Sequence, residues 1–495
     1  MSIISKTIAE LCQGLENKQF SSREITEAYL QRIEEVDPII NAYITVTSEA
    51  ALQAADQADA RRADGQKLSP LDGIPVAVKD NFCTRGVLTT CASKILHNFV
   101  PPYSATVWEK IAGAGAVLTG KTNMDEFAFG STGETSAYGV TRNPFDIGRI
   151  PGGSSSGAAA AVAADMAAFA LGTDTGGSIR LPAHFCGAVG IKPTYGRVSR
   201  LGIIPCSSSF DQAGVIAKNL YDAATVLEIA AGHDVSDANT MPLAVGAYRE
   251  ACQRPVKGLK IGLPREFMER GIEEYTLAEL ARAADLLRQH GATVEEVSLP
   301  HTAYAQAAYY VLSAAEASSN MARYDGVNFG LRVERDNVYD MISATRTEGF
   351  GEAAKIRILL GTYITSAGQI EAYYNRALRI RTLVKRDYNA VFAEGYDCLL
   401  TPVAARVAWK LGAEAADPLT AYLTSICTVP VNMAGLPGLS IPFGQQEGLP
   451  LGLQLIGRPW GEETMFSVAA VLEQPRLIAP DILAQAQVKG VAKHD

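Results

Sequence analysis

Two glycine-rich segments carry serines in a setting that suits acyl-transfer chemistry. They are PGGSSSG (residues 151–157) and GTDTGGSIRLP (residues 172–182), and each places a serine directly after two glycines. Backbone at a Gly-Gly pair can adopt conformations closed to other residues, so its N–H groups can point into a cavity and hold an oxyanion. A tight loop is the simpler explanation of one such segment. Two of them close together in the chain favour a site.

A serine hydroxyl is a weak nucleophile and needs a base to activate it. Of the six histidines, His184 alone lies near these segments, and it is interpreted as structural because no third member of a triad stands beside it. Lys79 ends the apolar segment 74–78, where burial would lower its pKa and leave an amine that accepts a proton. Taken alone, Lys79 is better explained as a strand-end lysine that points to water.

Together, three segments resemble the catalytic elements of the amidase signature family in their order along the chain: GIPVAVKDN, GGSSSGAAAA and GTDTGGSIRLP. The resemblance implies hydrolysis of a C–N amide bond through an acyl-enzyme. It assigns Ser178 as the nucleophile, Ser154 as the proton relay after a cis Gly153–Ser154 bond, and Lys79 as the base and later the acid for the leaving amine. No cofactor and no metal are expected.

The loop before Ser178 is expected to stabilise the oxyanion. Its donors would be the backbone N–H groups of Thr175, Gly176 and Gly177. In acyl-transfer enzymes such a donor contributes about 2.7–4 kcal/mol to transition-state stabilisation.

Within this family the chain resembles in particular the glutaminase subunits of tRNA-dependent amidotransferases, which release ammonia for a partner subunit. The likeness runs from the first helix to Glu473 and includes NMDEFAFGST, KPTYGRVSR, EGFGEAAKIRILLGTY and TVPVNMAGLPGLSIP. It implies a small amide substrate such as glutamine, held by Tyr309 and Arg357, and partner subunits of an amidotransferase complex.

One departure from these subunits affects the expected substrate. Where they carry an aspartate for the ammonium group of the substrate, this chain has Ser425. A buried ammonium without a carboxylate loses a charge-assisted hydrogen bond of about 1.5–3 kcal/mol. Asn328 and residues 369–371 also depart from the usual pattern. A stand-alone amidase or a carbamate hydrolase of urethane or biuret type is therefore an alternative, whereas an inactive scaffold conflicts with three intact catalytic elements.

The elements that must position these residues indicate an α/β protein. From about residue 70 to residue 230, short apolar runs alternate with glycine-rich turns and alanine-rich helices, a pattern typical of a sheet between layers of helices. Strand, helix and strand are predicted at 259–263, 277–289 and 292–297, with further strands at 398–402 and 438–442. We predict the amidase signature fold, a single large mixed β-sheet sandwiched between helices.

The predicted organisation has three parts. They are N-terminal helices that pack on the core (1–65), the α/β domain (66–475) with a helical insertion at about 300–395, and a C-terminal tail (476–495). Within the first part, a helix over residues 21–36 is expected to end at Asp37-Pro38. The apolar run 157–173 is predicted to be a helix buried in protein.

Composition excludes several classes of protein. The chain has 495 residues, 47% hydrophobic and 20% charged, which excludes a mainly disordered protein. Its net charge of −9 opposes direct nucleic-acid binding. Eight scattered cysteines without a C-x-x-C pair favour a reducing compartment. The N-terminal segment has acidic residues in a helical pattern, unlike a signal peptide, and the run 157–173 is too weakly apolar for a membrane span. A cytoplasmic protein without a membrane association is expected.

Two further patterns are interpreted as structural. GAVLTGKT (residues 115–122) matches the phosphate-loop pattern letter by letter, but an apolar strand is predicted where the loop should be. The insertion carries many arginines, including Arg332 and Arg381, interleaved with acidic residues. This arrangement indicates a solvated helical surface, where a partner protein could dock, rather than a nucleic-acid face.

Overall fold

The computed structural model describes residues 2–269, 271–413 and 424–491. Within these ranges the chain forms an eleven-stranded mixed sheet in the order β1-β3-β2-β4-β6-β5-β10-β11-β9-β7-β8. The predicted α/β fold with a large mixed sheet is confirmed. The strands are β1 (Tyr43–Val46), β2 (Pro75–Lys79), β3 (Val117–Thr122), β4 (Phe169–Asp174), β5 (Val189–Lys192), β6 (Gln212–Ala217), β7 (Lys260–Pro264), β8 (Thr293–Val297), β9 (Cys398–Pro402), β10 (Gly438–Gln446) and β11 (Leu449–Gly457).

Helices cover both faces of the sheet. On β2, Val76 and Val78 pack into one core and Ala77 between them packs into a second, as the alternation of a strand buried on both faces requires. The helices, numbered along the described residues, are α1 (Ile8–Glu16), α2 (Ser22–Ile40), α3 (Ser48–Ala63), α4 (Thr106–Gly113), α5 (Ser156–Ala163), α6 (Arg180–Phe185), α7 (Leu220–Ala230), α8 (Tyr248–Ala251), α9 (Glu274–Gln289), α10 (Ala305–Met321), α11 (Val338–Gly349), α12 (Glu352–Thr365), α13 (Arg376–Ala393), α14 (Val429–Ala434), α15 (Glu462–Leu472) and α16 (Ile482–Lys489).

The parallel strands β3, β2 and β4 place their carboxyl ends along one edge of the sheet. β2 lies between the other two and pairs in parallel with both. Lys79 is the last residue of β2, and Asp174 is the last residue of β4 and lies within the second glycine-rich segment. Loops that follow parallel strands meet at one edge of the sheet, so this topology brings the candidate residues together.

The predicted helix over 157–173 is wrong in its second half. α5 ends at Ala163, and the same apolar run then reverses and continues as β4. Asp165 makes the reversal with a φ of 58°, and its carboxylate forms ion pairs of 2.8 Å with Lys218 and 2.9 Å with Arg476. An alanine-rich run that is buried on all sides has no periodicity to separate the helix from the strand.

The helix predicted to end at Asp37-Pro38 continues to Ile40 as α2. Pro38 lies in the last turn, where the loss of one N–H donor affects a single helical hydrogen bond. The Asp37 carboxylate accepts hydrogen bonds from the N–H groups of Ala42 and Tyr43, at 2.6 and 3.2 Å, and ties the end of the helix to the next strand. That strand, β1, pairs with β3, so residues 1–65 also supply an edge strand that was not predicted.

The second half of the chain follows the prediction more closely. The strand-helix-strand unit is confirmed as β7, α9 and β8, with the two strands parallel. The insertion is helical, from α10 to α13, and the predicted tail contains α16. Across the described ranges, no helix combines the length and the apolar character that a bilayer crossing requires.

Candidate active site

Lys79 is buried at the end of β2 and does not point to water. Its Nζ donates to Ser154 Oγ at 2.7 Å, to Ser155 Oγ at 2.9 Å and to the Thr173 carbonyl at 3.3 Å. The structure therefore brings together Lys79 and Ser154, which are 75 positions apart in the chain. The interpretation of Lys79 as a solvent-facing strand-end lysine is wrong.

The environment of Lys79 favours a neutral amine. Burial lowers its pKa to about 8. The negative charge of Asp125 acts in the opposite direction and raises the pKa, although this carboxylate forms no hydrogen bond with the amine. Within the described chain no carboxylate forms an ion pair with its Nζ. A lysine with such a pKa has an appreciable neutral fraction near pH 7 and can act as a general base.

Ser154 follows a cis peptide bond from Gly153, as predicted. The Gly153 N–H donates to the Ser131 carbonyl at 2.7 Å, and the Asp125 N–H donates to the Ser154 carbonyl at 3.2 Å. A Cβ atom on Gly153 would lie 1.9 Å from Asp125 Oδ2, so only glycine fits at this position. The close approach of Asp125 thus shapes the segment that carries Ser154.

Ser178 is 7% exposed and lines a cavity of about 190 Å³. The Ser155 N–H donates to the Ser178 carbonyl at 3.1 Å, which joins the two glycine-rich segments. Across residues 2–269, 271–413 and 424–491, no hydrogen bond of the Ser178 hydroxyl is formed. The first contact of the predicted relay, between Lys79 and Ser154, is therefore present, whereas Ser178 presents a free hydroxyl at the cavity.

Asp174 organises the segment around Ser178, and sequence reasoning missed its role. Its carboxylate accepts from the N–H groups of Gly177 at 2.8 Å and Ile179 at 3.1 Å, and from the Arg180 guanidinium at 2.9 and 3.0 Å. Although burial acts to raise the pKa of Asp174, the Arg180 charge holds it well below its usual range. The sequence does contain a signal for this role, because an aspartate and an arginine flank Gly-Gly-Ser in GTDTGGSIR and could pair across it.

The predicted set of oxyanion donors needs one correction. The Gly177 N–H already donates to Asp174, so it does not fit the donor role in this structure. The N–H groups of Thr175 and Gly176 have no acceptor in the described part of the chain, and neither has the N–H of Ser178, which was not predicted. The Thr175 hydroxyl holds the loop by donating to Asp211 at 2.6 Å.

The three predicted substrate-binding residues line the same cavity as Ser178. Tyr309 lies over the loop, with its hydroxyl 2.8 Å from the position of a Cβ on Gly176. Arg357 reaches in from α12 and stacks on the Tyr310 ring at 4.4 Å. Ser425 is the third of these residues in the lining. The other described lining residues are Ala128, Phe129, Gly130, Ser131, Thr132, Thr135, Gly176, Leu181, Cys206, Tyr310 and Ser313.

The alternative chemical sites remain structural. His184 Nδ1 accepts from the Gly452 N–H at 2.8 Å, and burial lowers its pKa to about 4. Lys121 of the phosphate-loop pattern is buried in β3 and donates to the Phe82 carbonyl and the Thr89 hydroxyl.

Arg381, predicted on a solvated surface, instead binds the Ser209 carbonyl from a partly buried position. In the described residues no group of three or more acidic, histidine or cysteine side chains could hold a metal ion.

The chain is similar in sequence and in structure to several known proteins. The family model described as Amidase matches residues 24–466. A glutamyl-tRNA(Gln) amidotransferase subunit from Moorella thermoacetica is 54% identical, with 96% of this chain and 97% of that protein covered. The crystal structure of the corresponding amidotransferase subunit from Thermotoga maritima is 39% identical with a TM-score of 0.79 and covers 97% of this chain and 99% of its own. A peptide amidase from Stenotrophomonas maltophilia is 34% identical with a TM-score of 0.83, with coverages of 96% and 98%.

The two hydroxyls that contact Lys79 provide a matched pair of variants. We expect Ser154→Ala to lower kcat by roughly 10³-fold or more, because it breaks a relay whose members act as a unit. Ser155→Ala removes the other hydroxyl that contacts Lys79 and should cost less than about tenfold. Steady-state ammonia release measures both variants. Equal losses in the two would contradict a specific relay role for Ser154.

The pH profile should follow the ionisation of Lys79. Because the neutral amine is the base, kcat/KM should rise with pH through about 8, where the pKa of Lys79 lies. Asp125→Asn removes the charge that supports the ammonium form and should shift the rise to lower pH. Glu126→Gln is the control, since this adjacent carboxylate binds Ser93 and Gly351 instead. A profile unmoved by Asp125→Asn would contradict the assignment.

Proposed function

This chain belongs to the amidase family and is a C–N bond hydrolase, and from that premise we propose that Ser178 is its nucleophile, with Ser154 and Lys79 transferring the proton. The observation that carries this proposal is the 2.7 Å hydrogen bond from Lys79 to Ser154 in a buried site beside the cavity that Ser178 lines. The amine of Lys79, whose pKa burial lowers to about 8, is the base. The hydroxyl of Ser178, which forms no hydrogen bond within the described residues, provides the attacking oxygen.

The proposed reaction has two stages. In the first, Lys79 takes a proton from Ser154 as Ser154 takes one from Ser178, and Ser178 Oγ attacks the amide carbon. The N–H groups of Thr175 and Gly176 hold the oxyanion. The intermediate then expels the amine, which receives the proton back from Lys79 through Ser154. In the second stage, water attacks the acyl-enzyme by the same route and releases the carboxylic acid and Ser178.

We further propose that the leaving group is ammonia and that the chain serves as an ammonia-supplying component of a larger enzyme. The relatives from Moorella and Thermotoga are named as amidotransferase subunits and match this chain over almost its whole length. Tyr309 and Arg357 would hold the substrate, with the guanidinium binding a carboxylate. Partner subunits would use the ammonia. We also propose a cytoplasmic location, because the eight free cysteines suit a reducing compartment.

A second candidate is a stand-alone amidase or carbamate hydrolase. The observation that favours it is Ser425, a neutral side chain in the cavity lining. The other departures from the amidotransferase pattern, Asn328 and residues 369–371, do not line the cavity, so they bear less directly on the substrate. Both candidates use the same nucleophile and differ in what occupies the cavity.

Ser178→Ala should abolish ammonia release from every amide that the chain accepts, because no other group forms the acyl-enzyme. Ser313→Ala, which also removes a cavity-lining hydroxyl, should retain most of the activity. Mass spectrometry after a rapid quench should place the acyl group on Ser178. Turnover by the Ser178 variant, or an acyl group elsewhere, would contradict the mechanism. If glutamine is turned over only after partner subunits are added, the ammonia-supplying subunit is favoured. If the chain alone turns over bulkier amides, the stand-alone amidase or carbamate hydrolase is favoured.

A further inference from the structure

We infer that the cavity selects an amide that carries a carboxylate but no ammonium group. This inference rests on the proposed amide hydrolysis at Ser178 and specifies its substrate class. It comes from the charges of the described residues that line the cavity, from the partners of the nearby carboxylates, and from the contacts of Ser425.

The cavity has a positive character. Arg357 is the one charged side chain among the described lining residues, which include no aspartate and no glutamate. Within the described ranges Arg357 forms no ion pair, and its guanidinium rests on the Tyr310 ring at 4.4 Å. A guanidinium without a carboxylate partner in the described part of the chain attracts an anionic group into a small cavity and repels an ammonium.

Two carboxylates near the cavity, the buried Asp211 and the half-buried Glu316, already accept hydrogen bonds from the protein. Asp211 accepts from the Thr175 hydroxyl at 2.6 Å and from the N–H groups of Cys206 and Ser207 at 2.9 and 3.0 Å. Glu316 accepts from the hydroxyl and the N–H of Ser209. Neither carboxylate lines the cavity. Among the described residues a bound ammonium would therefore find no carboxylate partner, which makes its transfer from water unfavourable.

Ser425 offers a hydroxyl dipole but no charge. Its Oγ accepts a hydrogen bond from Gln306 Nε2 at 2.9 Å, which leaves the hydroxyl hydrogen available to donate. Gln306 does not line the cavity. The hydroxyl hydrogen suits a carboxylate or a carbonyl oxygen of the substrate, whereas the neutral hydroxyl oxygen offers an ammonium no charge-assisted hydrogen bond.

The substrate class follows from these positions. Ser178 and Gly176 line the cavity and suit the amide carbonyl, and Arg357 lines the same small space and suits a carboxylate. A monoamide of a short dicarboxylic acid has both groups. Glutaramate, the monoamide of glutaric acid, is a suitable probe because it differs from L-glutamine only by replacement of the α-ammonium with hydrogen.

Binding to the full-length Ser178→Ala chain separates recognition from turnover. Isothermal titration calorimetry should show that glutaramate binds about tenfold to a hundredfold more tightly than L-glutamine, the range of one charge-assisted hydrogen bond. In the wild-type chain, kcat/KM for ammonia release should favour glutaramate in the same sense. Equal or tighter binding of L-glutamine would overturn the inference, and so would the absence of binding by either probe at millimolar concentration.

Substitutions at Ser425 test the charge directly. Ser425→Asp adds a carboxylate, and this variant should prefer L-glutamine to glutaramate. Ser425→Asn adds a neutral side chain of the same size as aspartate, and this variant should still prefer glutaramate. If both variants behave alike, the inference fails. Its failure is distinguishable from that of the proposed function: a glutamine preference in a chain that loses all turnover on Ser178→Ala overturns only the substrate class. Persistent turnover in Ser178→Ala would instead refute the mechanism.

Discussion

The burial of one amine, that of Lys79, is the constraint on which the rest of the site depends. Removal from water lowers its pKa to about 8, and the contact with Ser154 at 2.7 Å gives the neutral form a hydroxyl to deprotonate. No carboxylate contacts the amine in the described part of the chain, so nothing there pairs with the ammonium form, and burial shifts the equilibrium toward the neutral amine. Two hydroxyls and a carbonyl provide its hydrogen-bond partners. A solvent-exposed lysine would remain protonated and could not serve as a base.

The sheet makes this burial possible. β2 lies between two parallel neighbours, and its last residue ends at the edge where the glycine-rich segments also arrive. Two buried carboxylates then fix those segments. Asp125 lies against Gly153, and Asp174 binds Gly177 and Arg180. Both carboxylates bind groups around the serines and hold the backbone there in place. The side chain of Ser178 lines the cavity.

Much of this arrangement could be predicted from the sequence, for identifiable reasons. Glycine-rich segments and alternating strands and helices are local patterns, and they predicted the α/β fold. The pairing of Lys79 with Ser154 was implied by the resemblance to the amidase signature family, whereas the local pattern alone favoured a lysine that points to water. What failed depended on partners distant in the chain or on the folded shape of a loop. The reversal at Asp165 relies on Lys218 and Arg476, and the donor role of Gly177 fails because its N–H binds Asp174. Local sequence carries no signal for which N–H group a folded loop leaves free.

The central claim is that burial lowers the pKa of Lys79 far enough to give an appreciable fraction of neutral amine near physiological pH. The most direct test is an NMR titration of the lysine side chains in isotopically labelled protein, with the Lys79 resonance assigned by its loss in Lys79→Arg. The account predicts that Lys79 titrates at about 8. A titration at the ordinary lysine value of 10.5 would contradict it.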